Sequence, residues 1–163
     1  MASSNADYGF GIEEEYFLAD MNSFDAPAET PEALFDELQE KTGEKTARES
    51  LQAQLEVATA PSTSVAEVRE DLRRLRTLSA EAAQKHGLAI LAAGTHPLAR
   101  WREVSPSRSE RYFKVMDMLR MIGRRNMLCG MHVHVELPDP HARVDVMTRL
   151  TPYLPLFVAL SAS

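Results

Sequence analysis

The stretch Gly-Ile-Glu-Glu-Glu-Tyr-Phe at residues 11–17 decides the fold class, because carboxylates and apolar side chains alternate along it. Successive side chains of a β-strand point to opposite faces of the sheet. Glu13 and Glu15 therefore share one face, while Ile12 and Tyr16 share the other. The stretch predicts a strand with one polar face and one face that packs on a core.

Two further segments, residues 50–57 and 130–136, repeat this alternation. The polar residues that share a face are Gln52, Gln54 and Glu56 in the first segment, and His132, His134 and Glu136 in the second. The opposite parity of both segments is apolar. Three strands that each carry carboxylates, amides or imidazoles on one face predict a sheet with a metal site.

Helical periodicity separates these strands. The predicted strands cover residues 10–19, 50–60, 88–93 and 130–136, and the predicted helices begin at about residues 31, 64, 109 and 139. Thr30 and Ser64 are expected as N-caps, and Gly43 as the end of the first helix. The buried side of the second helix is predicted to contain Val65, Val68, Leu72, Leu75, Leu78 and Ala82. Pro152 and Pro155 are expected to interrupt the last helix.

The order of strands and helices alone favours an α/β fold with parallel strands. Parallel strands covered on both faces are continuously apolar, however, whereas three of these four alternate. The better interpretation is a sheet with one face packed on helices and one face open.

Composition narrows the class of protein. The chain has 163 residues, 18 Lys and Arg against 24 Asp and Glu, and a net charge of −6, which argues against nucleic acid or an anionic membrane as partner. Cys129 is the only cysteine, so an intrachain disulfide is excluded. The start shows no signal-peptide pattern, and the apolar run at residues 154–160 is too short to span a bilayer. We expect a cytoplasmic protein.

Glu13 and Glu15 have a spacing that suits metal chemistry. Residues two apart on a strand lie roughly 6.5–7 Å apart, which fits ligands of two divalent ions about 3.5–4 Å apart. Carboxylates favour Mg²⁺ or Mn²⁺. A solvated acidic face and, for the pair His132 and His134, a zinc hydrolase are the alternatives. Because no phosphate-binding glycine loop occurs, a nucleotide would be held through metals.

Five pieces of the chain, in this order, resemble the carboxylate–amine ligases of the glutamate–cysteine ligase type 2 family. They are Gly-Ile-Glu-Glu-Glu at 11–15, Gln-Leu-Glu-Val-Ala-Thr-Ala-Pro at 54–61, Ala-Gly-Thr-His-Pro at 93–97 with Trp101, Glu-Arg-Tyr at 110–112, and Cys-Gly-Met-His-Val-His-Val at 129–135. The resemblance implies an α+β, glutamine-synthetase-like fold, in which helices pack on one face of a curved, mainly antiparallel sheet.

The resemblance also implies an activity. ATP would activate a carboxylate as an acyl phosphate with the help of Mg²⁺ or Mn²⁺, and an amine would then attack; glutamate and cysteine are the typical substrates. The implied metal ligands are Glu13, Glu15, Glu56 and His132, and Arg111 is implied as a catalytic residue that binds substrate or phosphate. Glu49 is a weaker candidate, because it falls on the wrong strand parity unless a bulge intervenes, and His134 is given a supporting role.

Family members are roughly twice as long, so residues 1–163 are expected to be the amino-terminal part of one catalytic domain, with an incomplete sheet. Such a chain is expected to form homo-oligomers or to pair with the missing carboxy-terminal half. A truncated, non-catalytic module that binds a nucleotide or a partner is the alternative function.

Overall fold

The computed structural model of the chain describes residues 8–107, 117–118 and 127–161. The strands are β1 (Phe10–Asp20), β2 (Thr46–Arg48), β3 (Gln54–Ala58), β4 (Leu88–Leu91) and β5 (Met131–Val135). The α-helices are α1 (Glu32–Thr42), α2 (Val65–Lys85), α3 (Arg143–Leu150) and α4 (Leu154–Ser161). Three single 3₁₀ turns, Gly43–Lys45, Pro140–Ala142 and Thr151–Tyr153, accompany them.

Strand β1 is the centre of a five-stranded sheet in which every described pairing is antiparallel. One edge of β1 pairs with β3, which in turn pairs with β2. The other edge pairs with β5 along residues 10–14 and with β4 along residues 17–20. The strand–helix alternation therefore does not produce parallel strands, and the predicted mainly antiparallel α+β fold is confirmed.

Helices α1 and α2 cover one face of this sheet. Tyr16 and Leu18 of β1 and Leu55 and Val57 of β3 are at most 1% exposed on that face. They pack in one core with helix residues that include Leu34, Phe35, Leu38, Leu72, Leu75 and Ala82. The apolar parity of β1 and β3 thus faces the core, as expected from the period of two along each strand, whereas the apolar residues Met131, Val133 and Val135 of β5 are more than half exposed.

The helix boundaries follow local signals with two exceptions. Ser64 accepts a hydrogen bond from the Glu67 amide at 3.3 Å, and Gly43, with φ of 63°, ends α1, as predicted. Thr30 does not cap α1, because its hydroxyl donates to the Gln52 carbonyl at 2.5 Å instead. Val65 was expected on the buried side of α2 but is 71% exposed, since it lies in the first turn beyond the edge of the core.

The second strand is shorter than predicted. Strand pairing covers only Gln54–Ala58. Gln52 lies in a turn, where its backbone amide donates a hydrogen bond to the Ser105 carbonyl at 2.9 Å. The loop before β3 pairs with another loop through an isolated bridge between Leu51 and Pro106. A pattern of alternating residues does not report such a loop contact, which delays the start of the strand to Gln54.

The last part of the chain forms its strand and helices in the predicted order. In the described structure these elements are largely exposed. Strand β5 forms as expected, and the helix after Asp139 is interrupted at Thr151–Tyr153, where Pro152 lies. None of the side chains of β5, α3 and α4 is buried. No helix of the described part is long and apolar enough to cross a membrane. The helix predicted over residues 109–124 lies outside the described residues, apart from residues 117–118, which are helical.

Candidate metal centre

The sheet face opposite the helices brings the predicted ligands together. Glu15 pairs with Glu56 across β1 and β3, and Glu13 pairs with His132 across β1 and β5. Directly paired residues project from the same face of a sheet. The four residues predicted as metal ligands therefore form one surface. This surface is centred on the middle of β1, next to the start of β5.

A cluster of three carboxylates lies on this surface. Glu15, Glu49 and Glu56 each offer an oxygen within 4.8 Å of the others. Glu49 follows the end of β2 and precedes the turn before β3, so strand parity does not apply to it. The predicted strand from residue 50 does not begin until Gln54, so the irregular backbone between β2 and β3 brings Glu49 to the cluster despite its parity.

A second cluster adjoins the first and contains imidazoles. His134 Nε2 lies 2.8 Å from Glu13 Oε2, and His132 Nδ1 lies 3.5 Å from the same oxygen. Ligand atoms of all three residues lie within 4.8 Å of one another. His134, which was predicted to have only a supporting role, thus lies nearer to the Glu13 carboxylate than His132 does.

The carboxylate cluster has unbalanced negative charge. Burial raises the pKa of Glu56 above its ordinary value, and the neighbouring carboxylates Glu13, Glu49 and Glu15 raise it further, while His132 lowers it. A carboxylate surrounded by others favours either a bound proton or a bound cation. Three carboxylates suit a hard, oxygen-preferring ion such as Mg²⁺ or Mn²⁺, so the donor set fits the metals predicted.

Backbone groups orient Glu15 within the cluster. The Gly130 amide donates to Glu15 Oε2 at 2.8 Å, and the Glu15 amide donates to the Gly130 carbonyl at 3.0 Å. An open cavity of about 490 Å³ borders this pair. Its lining includes Glu15, Glu49, Gly94, Cys129, Gly130 and His132. The carboxylates are thus accessible to a ligand larger than a metal ion.

Gln54 lies on the polar face as predicted, but its side chain has a structural role. It is 1% exposed, and its amide nitrogen donates to the Leu128 carbonyl at 2.7 Å and to Cys129 Sγ at 3.3 Å. These bonds hold the segment that leads to Gly130. Burial raises the pKa of Cys129 to about 12, so this thiol stays protonated at neutral pH.

The turn at residues 94–97 also has a structural explanation. His96 is buried, and its Nδ1 accepts hydrogen bonds from the amides of Leu98 at 3.2 Å and Ala99 at 3.0 Å. Its ring packs edge-on against Phe17, with 5.5 Å between the ring centroids. Arg111, predicted as a catalytic residue, lies outside the described residues.

Comparison with known proteins identifies the family. A sequence profile of the glutamate–cysteine ligase family 2 matches residues 9–163. A relative from Bradyrhizobium diazoefficiens is 54% identical over 158 residues, and one from Ruegeria pomeroyi is 41% identical over 157; both are provisionally named glutamate–cysteine ligase 2. The chain belongs to the glutamate–cysteine ligase family 2, which confirms the resemblance seen in its motifs.

The match covers most of this chain but a minority of each relative. It includes 97% of this chain and 37% of the Bradyrhizobium relative, and 96% and 41% for the Ruegeria relative. The chain therefore spans about two fifths of the length of these relatives.

Solved structures share the fold at low sequence identity. A glutamate–cysteine ligase from Francisella tularensis, crystallised with AMP, has a TM-score of 0.63 at 17% identity and covers 87% of this chain with 29% of its own. A bifunctional glutathione synthetase from Pasteurella multocida has a TM-score of 0.65 at 16% identity, over 88% of this chain and 18% of its own.

Proposed function

We propose that this chain forms the metal-binding wall of an ATP-dependent carboxylate–amine ligase of the glutamate–cysteine ligase type. The observation that carries the proposal is the pair of adjoining ligand clusters on one sheet face, in a chain of this family. Burial, together with the neighbouring carboxylates, raises the pKa of Glu56, and perturbed pKa values of this kind cluster at functional sites.

Each cluster is assigned one divalent ion. Glu15, Glu49 and Glu56 would hold one Mg²⁺ or Mn²⁺ through oxygen alone, while Glu13 and His132 would hold a second, with His134 beside them. The ions, when bound, would neutralise phosphate oxygens of a nucleotide and the carboxylate that approaches it. The chain's own contribution is to fix these ligands on a rigid sheet.

The proposed reaction proceeds in two balanced steps. Transfer of the γ-phosphoryl group of ATP to a substrate carboxylate gives an acyl phosphate and ADP. A neutral amine then attacks the acyl carbon, the bond from that carbon to the phosphate oxygen breaks, and the amide forms while inorganic phosphate leaves with the proton that the amine loses. Glutamate as the acid and cysteine as the amine are the proposed substrates, and Arg111 is proposed to bind phosphate or substrate.

Space for a nucleotide supports the proposal. An open cavity of about 480 Å³ lies beside Glu13 and His134, at the start of β1. Its lining combines small residues, among them Gly9, Gly11 and Thr59, with the larger Phe10, Ile12 and Val135 and the acidic Glu136. The AMP in the Francisella ligase supports a nucleotide as the ligand of this fold.

The test is a chimaera in which this chain replaces the matching 37% of the Bradyrhizobium relative. We expect ADP release that requires glutamate, cysteine and Mg²⁺, and a loss of at least about 100-fold in Glu15→Gln. Glu40→Gln, on the exposed side of α1, is the matched control and should keep the activity. Turnover without an amine, or turnover unchanged in Glu15→Gln, would contradict the proposal.

We also propose that helices α3 and α4 contact another polypeptide. Apolar side chains on α3 and α4, among them Met147, Phe157 and Leu160, are more than half exposed. Such a surface supports association of two copies, or pairing with the part of the family domain that this chain lacks. Size-exclusion chromatography should show a dimer or larger species of the chain alone, converted to a 1:1 complex by the remaining part of the relative. A stable monomer that ignores that part would contradict it.

A further inference from the structure

Glu14 lies between Glu13 and Glu15, the two proposed metal ligands of β1, but its side chain points to the opposite face of the sheet. Its side chain is 8% exposed within the core beneath α2. Arg76 of α2 donates from Nε to Glu14 Oε2 at 2.7 Å and from Nη2 to Oε1 at 2.5 Å. A buried carboxylate held by both arms of a guanidinium is a strong and directional contact.

Tyr16 completes this buried network on the same face of β1. Its hydroxyl donates to Glu14 Oε2, and Arg76 Nε lies 3.3 Å from the same hydroxyl oxygen. Tyr16 itself is 1% exposed. Arg76 therefore contacts two residues of β1 that are two positions apart, and both contacts require their side chains to face α2.

Tyr16 and Leu18, which are buried in the core, hold the register of β1 beyond the run of three glutamates, but the identical side chains within the run do not specify it themselves. A slip of one residue turns every side chain of a strand to the other face. After such a slip Glu14 would face the metal clusters, and Glu13 and Glu15 would enter the core. The side-chain types in the run are identical, so nothing within it opposes the exchange.

We infer that Arg76 is a positioning residue that, together with the apolar core positions of β1, keeps Glu14 in the core and holds Glu13 and Glu15 toward the metal centre. The inference rests on the proposed metal function. By binding Glu14 and Tyr16 in the core, Arg76 makes the observed register the one in which no buried carboxylate is left unpaired. Glu13 and Glu15 are then presented to the ligand clusters without touching Arg76.

Mn²⁺ titration of the 163-residue chain by calorimetry tests this inference. In Arg76→Met we expect the dissociation constant for Mn²⁺ to rise about tenfold, in the range typical of residues that support metal ligands. Arg73→Met is the matched control, because Arg73 lies one turn earlier on α2, 65% exposed and paired only with Glu70 in the described structure. This control should stay within about twofold of the wild type.

A purely structural role predicts a different result. It would raise the apparent dissociation constant only by the inverse of the folded fraction of the metal-free chain, which circular dichroism measures, and a chain that is almost fully folded would show no change. The double substitution Glu14→Leu with Arg76→Met places an apolar residue at the core position, so the register is again specified. We expect the double variant to recover the dissociation constant to within about twofold of the wild type.

The possible outcomes distinguish a failure of this inference from a failure of the proposed metal-binding function. No Mn²⁺ binding by the wild-type chain would overturn the metal centre and this inference with it. Wild-type binding with an unchanged dissociation constant in folded Arg76→Met would overturn the inference alone. If Arg76→Met does not fold, Arg76→Lys, which retains the charge but not the two-armed contact, takes its place, and an unchanged constant there overturns the inference.

Discussion

Glu15 and Glu56 occupy directly opposed positions on the antiparallel strands β1 and β3. Like charges at opposed positions destabilise a sheet, and here Glu49 adds a third carboxylate within 4.8 Å. The pairing is explained if a cation joins the three side chains. It also gives the metal proposal a consequence for stability that is independent of catalysis.

Glu56→Gln should stabilise the metal-free chain and abolish its stabilisation by metal. Removal of one of the opposed charges is expected to add roughly 0.2–1 kcal/mol, or about 1–4 °C in Tm. The wild type should gain about 2.7 kcal/mol at a Mg²⁺ or Mn²⁺ concentration 100 times the Kd, and the variant should not. Thermal unfolding in EDTA and in metal measures both, with Glu40→Gln as control. An equal gain from metal in both chains would contradict the prediction.

His132→Ala should weaken Mn²⁺ binding more than Mg²⁺ binding. Imidazole nitrogen suits Mn²⁺ better than Mg²⁺, which prefers oxygen ligands and retains its waters. We expect the Kd for Mn²⁺ to rise at least about tenfold and that for Mg²⁺ to change less. Parallel titrations with the two ions provide the comparison, and His141→Ala, exposed beyond β5, provides the control. Equal losses for both ions would contradict the predicted preference, and unchanged constants for both would show that His132 is not a ligand.

His96 should make the chain less stable in mild acid. Burial lowers the pKa of His96 below its ordinary value of 6.5, since the charged ring is disfavoured in the core. The unfolded chain therefore binds a proton first as the pH falls below about 6.5. Stability from this group is complete above pH 6.5 and is lost as the pH falls toward the folded-state pKa.

Urea unfolding in EDTA between pH 7.5 and pH 5 measures this loss. His96→Asn is the comparison, because an asparagine oxygen can accept the same two backbone bonds but does not titrate. We expect the stability of the wild type to decline more steeply over this interval. Hydrogen bonds from Lys41 and Lys85 lower the pKa of Glu37 to about 2. The contribution of Glu37 to stability therefore changes only at more acidic pH. Parallel profiles for the two chains would refute the assignment to His96.

Leu75→Ala should cost far more stability than Val65→Ala on the same helix. Leu75 is fully buried between α2 and the sheet, and its truncation leaves a cavity that costs about 2–5 kcal/mol. Val65 is 71% exposed, so its truncation should change stability by no more than about 0.5 kcal/mol. Denaturant unfolding of both variants checks the difference. A large cost at Val65 would mean that this surface is covered in solution.

Much of the site was predictable from the sequence, because alternation along single strands places Glu13 with Glu15 and orients His132. The alternation could not identify the neighbours of each strand. Glu49 joins the carboxylate cluster only because the chain turns between β2 and β3, and Gln54 is withdrawn into hydrogen bonds with the segment before β5.

The sequence by itself determined the faces of the strands, the cap of α2 at Ser64 and the end of α1 at Gly43, since each depends on a few adjacent residues. Tertiary structure alone decided that β1 pairs with both β3 and β5, and that Arg76 binds Glu14 from a position 62 residues away. The physical reason is that the role of a carboxylate depends on the charge it meets in space. Three identical glutamates in a row thereby acquire two different roles.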